Sequence, residues 1–138
     1  MAAACSRFAE HRRGGISILD LLSGVDLMET NRFDGGAAYV RGQYLPFAEA
    51  SIPVADWGFT RSDVVYDVVH VYRGGFFRLS DHLDRFTHSM AARRLRPPED
   101  RLAIEAILHR CVGLSGLNDA YVAMVALRGR PRVGLSSI

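Results

Sequence analysis

From Ala37 onward the hydrophobic and polar residues fall into short, sharply bounded blocks. Ala37-Ala38-Tyr39-Val40 and Gln43-Tyr44-Leu45 are β-prone runs joined by Arg41-Gly42, and a two-residue link containing glycine predicts a hairpin, because glycine accepts the positive φ of such turns. Pro46 and Pro53 then punctuate a loop. The densest run is Val64-Val65-Tyr66-Asp67-Val68-Val69-His70-Val71-Tyr72, rich in β-branched and aromatic residues and read as a long strand. Strand alternation puts Val64, Tyr66, Val68, His70 and Tyr72 on one face, and Val65, Asp67, Val69 and Val71 on the other. Arg73-Gly74-Gly75 turns this strand back into Phe76-Phe77-Arg78-Leu79, a second hairpin.

The period then changes. Ser80 stands where a helix N-cap is expected, with Asp81 in the first turn, where a carboxylate meets the positive end of the helix dipole. Leu83, Phe86, Met90 and Leu95 follow at near-helical spacing and predict a stripe packed on the sheet. Pro97-Pro98 stops this helix. Glu99 and Asp100 open a second, whose apolar side is Leu102, Ile104, Ile107, Leu108 and Cys111 and whose end lies between Gly113 and Gly116. A final strand spans residues 120–127 and breaks at Arg128-Gly129-Arg130-Pro131. Hairpin, hairpin, helix, helix, strand describes an α+β domain, a mainly antiparallel sheet covered by two helices.

Residues 1–35 read as an N-terminal extension: Arg12-Arg13-Gly14-Gly15 interrupts the chain before a short apolar stretch around Ile16 to Leu22. Residues 36–130 form the body, and residues 131–138 resemble a linker toward a further domain.

A length of 138 residues with 49% hydrophobic and 23% charged residues fits one folded domain of a water-soluble protein. Cys5 and Cys111 lack the paired spacing of a zinc or redox site. No apolar run approaches the ~20 residues of a membrane span, and Glu10 argues against a secretory signal, so a cytoplasmic location is the default expectation. All 17 basic residues besides histidine are arginine, and there is no lysine. Arginine is a flat, permanently charged fork suited to phosphate and carboxylate, whereas lysine is the amine that shifts its pKa and forms covalent adducts with carbonyls. Arg93, Arg94, Arg96 and Arg101 make a local cationic cluster, but no aromatic platforms stand beside them, and a net charge of +2 does not itself imply nucleic acid.

The run Asp56-Trp57-Gly58-Phe59-Thr60-Arg61-Ser62-Asp63-Val64-Val65-Tyr66-Asp67-Val68-Val69-His70-Val71, followed by Gly75-Phe76-Phe77-Arg78-Leu79 and His82-Leu83-Asp84-Arg85, resembles the N-terminal small domain of the class IV (fold-type IV) pyridoxal-phosphate aminotransferases. Within that family it looks most like the (R)-selective amine transaminases and the branched-chain aminotransferase group. The likeness covers about residues 33 to 130. It implies pyridoxal 5'-phosphate as cofactor, a homodimer, and a second, larger domain carrying the lysine to which the cofactor is bound. The present chain ends where that domain would begin.

By the same resemblance Arg85 matches the arginine that binds the cofactor phosphate, whereas its sequence context alone pairs it with Asp81 on the helix surface. Tyr66 and Val68 match pocket-lining positions and share a strand face. Arg61 stands where related amine transaminases often carry histidine, Tyr121 matches an aromatic near the pocket, and Arg132 lies near the family's carboxylate-recognising arginine. Core filling for Tyr66 and a solvated loop position for Arg61 are the plainer readings. The histidines His70, His82 and His109 have no metal-ligand spacing and are expected to be structural, and Asp67, among valines, is expected to find an arginine or a backbone donor. With no lysine, the stretch is expected to be inactive alone; the alternative is a non-catalytic, arginine-rich module for a phosphorylated ligand or protein partner.

Overall fold

The computed structural model describes residues 1–7 and 32–130. The elements, in order, are β1 (Ala2–Ser6), β2 (Gly36–Val40), β3 (Gln43–Pro46), a 3₁₀ turn over Phe47–Glu49, α1 (Trp57–Thr60), β4 (Val64–Tyr72), β5 (Gly75–Phe76), α2 (Leu79–Ala92), α3 (Arg101–Ser115) and β6 (Ala120–Leu127). The strands form one six-stranded sheet in the order β3-β2-β1-β6-β4-β5, and each neighbouring pair is antiparallel. This is the α+β architecture the residue pattern predicts.

Helices α2 and α3 cover one face of the sheet: α2 packs on β4, and α3 on β1 and β2. Leu83, Phe86 and Met90 of α2, with Leu95 beyond it, meet Ile104, Ile107, Leu108 and Cys111 of α3 over Val69, Val71, Val122 and Met124. The apolar stripes therefore fall where the helical spacing puts them, except that Leu102 is 74% exposed. Leu102 sits two positions from Ile104, about 200° around a helix at 3.6 residues per turn, and so lies on the opposite side.

Four further differences have physical reasons. Ala2–Ser6, assigned to the extension by the sequence pattern, is a strand in the middle of the sheet between β2 and β6. Alanine carries little strand propensity, so pairing on both sides, not local preference, fixes it there. The hairpin at Phe76 keeps only Gly75–Phe76 as strand, and Phe77 is exposed. Helix α2 starts after Arg78 in a left-handed conformation, so Ser80 lies inside the helix and its Oγ accepts from Arg101 Nη2 at 3.0 Å. The loop after β3 contains the short helix α1, with buried Asp56 as N-cap, its Oδ1 accepting from Gly58 N at 2.8 Å. By contrast, α3 begins as expected, Asp100 Oδ1 capping Ala103 N at 2.8 Å.

Close packing explains two glycines. A Cβ on Gly36 would overlap the carbonyl oxygen of Cys5, so β2 can approach β1 there only without a side chain. A Cβ on Gly58 would overlap the Leu127 side chain, which presses α1 against the end of β6. The apolar stretch from Ile16 to Leu22 and residues 131–138 lie outside the described residues.

Candidate functional site

The long strand β4 has two unlike faces. Val65, Asp67, Val69 and Val71 point toward the helices, whereas Tyr66 and Val68 are 73% and 39% exposed on the other side. The pairing register extends that open face across the sheet: Tyr66 lies opposite Val125 and then Ala2, Val68 opposite Ala123 and then Ala4, and His70 opposite Tyr121 and then Ser6. Small side chains on β1 make a low floor and the aromatic residues of β4 and β6 a raised rim. The rings of His70 and Tyr121 stack at 5.0 Å, so His70 belongs to this aromatic row.

The outer edge of β4 is also open over much of its length. β5 pairs only with Val71 and Tyr72, and Phe77 N donates to His70 O at 2.9 Å. In an antiparallel strand the N–H and C=O of one residue point to the same side and alternate along the chain. Tyr66 and Val68 are in phase with His70, so their backbone groups aim outward at an edge that no strand occupies among the described residues.

Around this edge the helix face contributes charge. Arg85 of α2 donates from Nε to Asp67 Oδ2 at 2.6 Å and from Nη2 to Asp67 Oδ1 at 2.8 Å. His82, one turn earlier on α2, places Nδ1 2.8 Å from Asp67 Oδ1. The Asp67 side chain is 3% exposed and that of Arg85 63%, so the pair joins the core to the surface. Burial by itself would raise the Asp67 carboxyl, but the hydrogen bonds from Arg85 and His82 outweigh it and hold the group below the ordinary aspartate range. Asp67 in turn pushes the Arg85 guanidinium further up.

Arginine offers two forks, a side-on pair at Nε and one Nη, and an end-on pair at the two Nη atoms. Asp67 occupies the side-on fork. Nη1 has no hydrogen-bond partner among the described residues, which leaves the outward end of the guanidinium open to an oxyanion.

A second aspartate–arginine pair sits just before β4. Arg128 donates from Nε to Asp63 Oδ2 at 2.7 Å and from Nη2 to Asp63 Oδ1 at 3.3 Å, while Nη1 and Nη2 reach the carbonyls of Arg94 and Arg93 at 2.9 and 2.6 Å. Arg128 N also donates to Asp63 O at 3.1 Å, and Trp57 N to Gly129 O at 3.0 Å. The end of β6 is thereby strapped to the loop that enters β4.

The positions singled out in the sequence divide as follows. Tyr66, Val68 and Tyr121 come together on the open sheet face. Arg61 is the C-cap of α1, with its guanidinium carbon 4.9 Å from the centre of the Trp57 ring. Arg85 is attached to the opposite side of β4 through Asp67, and the partner expected for it from spacing, Asp81, is engaged by Arg78 instead. His109 packs edge-on against Phe76 at 4.9 Å. Arg132 lies outside the described residues. The sequence left Asp67 to an arginine or a backbone donor, and the structure supplies the arginine; which one was hidden, because residues 18 apart meet only through the strand-to-helix connection. Arg128 gave no signal beyond its charge.

The cysteines take no part in this region. Cys5 and Cys111 are buried, and burial, with the neighbouring Cys5 adding to it, pushes the Cys111 thiol up to about 12. No group of three His, Cys, Asp or Glu that could hold a metal occurs among the described residues. Nor is any of the described helices long and apolar enough to cross a membrane.

An antiparallel sheet with α2 and α3 on one face matches the small-domain architecture of fold-type IV aminotransferases. The model of the amino-transferase class IV family matches residues 64–137, and the chain belongs to that family. A D-alanine aminotransferase of Listeria innocua is 33% identical over 81 residues, covering 59% of this chain and 28% of the relative. In structure, a branched-chain amino acid aminotransferase solved with pyridoxamine 5'-phosphate superposes with a TM-score of 0.66 at 23% identity, over 72% of this chain and 34% of that one. The branched-chain aminotransferase of the archaeon Thermoproteus uzoniensis, solved with norvaline, gives 0.60 at 23% identity over 71% and 35%. The chain thus spans about a third of the length of the proteins it matches.

Proposed function

We propose that this chain is the small-domain wall of a pyridoxal-phosphate transaminase site, exchanging an amino group between an amine or amino acid and a keto compound when joined to a lysine-bearing domain. The observation that carries this reading is the held but half-used Arg85: the buried Asp67 orients the guanidinium and leaves its outward end for the phosphate. The residues present therefore fit the phosphate end of the cofactor. When bound in a complete enzyme, pyridoxal phosphate supplies the aldehyde that takes up the amino group and a ring that withdraws electrons from it.

In this reading Arg85 binds and orients the phosphate, and Tyr66, Val68 and Tyr121 form an apolar wall that excludes water on the substrate side. Arg61, clamped over Trp57, stands at the entrance loop as a substrate-contacting cation. The chain has no primary side-chain amine to attach the cofactor or to move the substrate proton, and arginine stays protonated and non-nucleophilic. We therefore expect no turnover from these 138 residues alone. The open aromatic face and open β4 edge are where a larger domain or a second copy of the chain would pack, consistent with a dimeric parent enzyme.

The test combines binding with activity. Purified chain mixed with pyridoxal phosphate should broaden the cofactor's ³¹P resonance, an Arg85→Gln variant should broaden it less, and neither should transaminate until a lysine-bearing class IV large domain is supplied. Transamination by the purified chain without that domain would overturn the reading. So would equal broadening by both proteins.

A further inference from the structure

Helix α2 ends in a Schellman motif: Leu95 N donates to Met90 O at 2.8 Å and Arg94 N to Ala91 O at 3.0 Å, with Leu95 and Met90 both buried. The residue at the left-handed position of that motif is Arg94, at φ 54°. Glycine is the residue that this position favours, since a Cβ there is strained. A long cationic side chain therefore stands where the backbone alone would select none.

What surrounds it is a cavity of about 370 Å³ between the end of α2 and the end of β6, lined by Arg94, Arg96 and Arg128 together with Pro97, Pro98 and Leu127. Among the described residues no carboxylate lines it, whereas Glu99 and Asp100 line the adjoining pocket on the other side of Arg94, Arg96 and Pro97. Arg128 is engaged by Asp63 and by the carbonyls of Arg93 and Arg94, which fixes the floor. Arg94 and Arg96 have no ion-pair or hydrogen-bonding side-chain partner among the described residues. The acidic side chains nearest in sequence are committed elsewhere: Glu99 accepts from Tyr39 through Oε1 and faces the Met1 amino group through Oε2, and Asp100 caps α3. Arg94 and Arg96 are both exposed and, with Arg128, bring three like-charged residues to one lining beside Pro97-Pro98, a grouping that a bound anion would relieve.

We propose that this cavity is a binding site for a small phosphorylated anion, held by Arg94 and Arg96 and distinct from the position of Arg85. The site does not rest on the transaminase reading, since it uses neither the open sheet face nor Arg85. A guanidinium pair suits a phosphate monoester because each fork can engage two of its oxygens. The volume suits a small molecule.

The left-handed position of Arg94 separates binding from folding in the test. The full 138-residue chain is titrated with inorganic phosphate at low salt and followed by ¹H–¹⁵N NMR. Amide shifts are expected at Arg94, Leu95, Arg96 and Arg128. Arg94→Gly should raise Tm by relieving the backbone while weakening phosphate by about tenfold, and Arg96→Gln should weaken it similarly with Tm unchanged. Unchanged phosphate affinity in the Arg94→Gly/Arg96→Gln double variant, or shifts confined to the surroundings of Arg85, would overturn the proposal. Tighter binding of a single-stranded oligonucleotide than of phosphate at the same residues would overturn it too, by assigning the cluster to a polymer.

Discussion

Asp67–Arg85 and Asp63–Arg128 are both bidentate aspartate–arginine pairs on or beside the same strand, yet their arginines are employed differently. Arg128 donates to one carboxylate and two backbone carbonyls, ending three stretches of chain at one guanidinium. Arg85 meets a carboxylate buried in the helix-facing side of the sheet and keeps its outer end open. A saturated arginine is a strap, and an arginine oriented from behind and open in front keeps donors free for an acceptor. Counting donors in use distinguishes the two where charge and sequence do not.

The largest effect on stability should come from Arg85→Met, because it strands the buried Asp67 carboxylate with His82 as its one remaining side-chain partner among the described residues. Urea unfolding should show a lower midpoint than for any other single change at the two pairs. Adding Asp67→Asn to that variant should recover part of the loss, since a neutral amide tolerates the site better. A double variant less stable than Arg85→Met by the full cost of Asp67→Asn alone would mean that the two side chains act independently.

Asp67→Asn by itself should cost about 1–2 kcal/mol, the scale of charge-assisted hydrogen bonds lost at a buried group. It should also weaken cofactor phosphate, since Arg85 loses the carboxylate that orients it. The ³¹P broadening of pyridoxal phosphate reads that second effect, which a merely stabilising role for Asp67 would leave unmoved.

Acid sharpens the same contrast. Asp67 and Asp63 both have folded carboxyls held below their ordinary value: Asp67 by Arg85 and His82 against burial, Asp63 chiefly by the Arg128 hydrogen bond. Their contributions are therefore complete above the unfolded-state pKa and disappear as pH falls through the depressed folded values. Stability should decline as pH falls below the ordinary aspartate value of about 4, and Asp67→Asn should flatten that decline. An unaltered acid profile in Asp67→Asn would remove Asp67 as its source.

Arg128→Met should give the smallest change, a modest drop in Tm, because Asp63 and the freed carbonyls lie near enough to solvent to be hydrated. Binding of pyridoxal phosphate at Arg85 should persist in it. Loss of that binding would show that the strap at the end of β6 also positions the α2 edge.

The longer elements from Ala37 to Leu127 were legible because each obeys one period over several residues, whereas the short helix α1 and the two-residue β5 are too brief to show one. Period two on β4 separated Val69 and Val71 from Tyr66 and Val68, and helical spacing found Leu83, Phe86 and Met90. What escaped were features set by partners distant in sequence. Ala2–Ser6 has no strand signal of its own, and Ser80, an adequate N-cap by type, was displaced because Arg78 turns left-handed one residue before the helix.

The sequence by itself determined the alternating strand, the two amphipathic helices, the family and the absence of any side-chain amine able to attach an aldehyde, since periodicity and residue chemistry are local properties. Only the tertiary structure decided that Asp67, not Asp81, holds Arg85, that β1 closes the middle of the sheet, and that Arg94 and Arg96 share a cavity with Arg128. Those facts depend on which distant segments meet. Shared burial and charge pairing across the fold decide that, and neither is written at any one position of the chain.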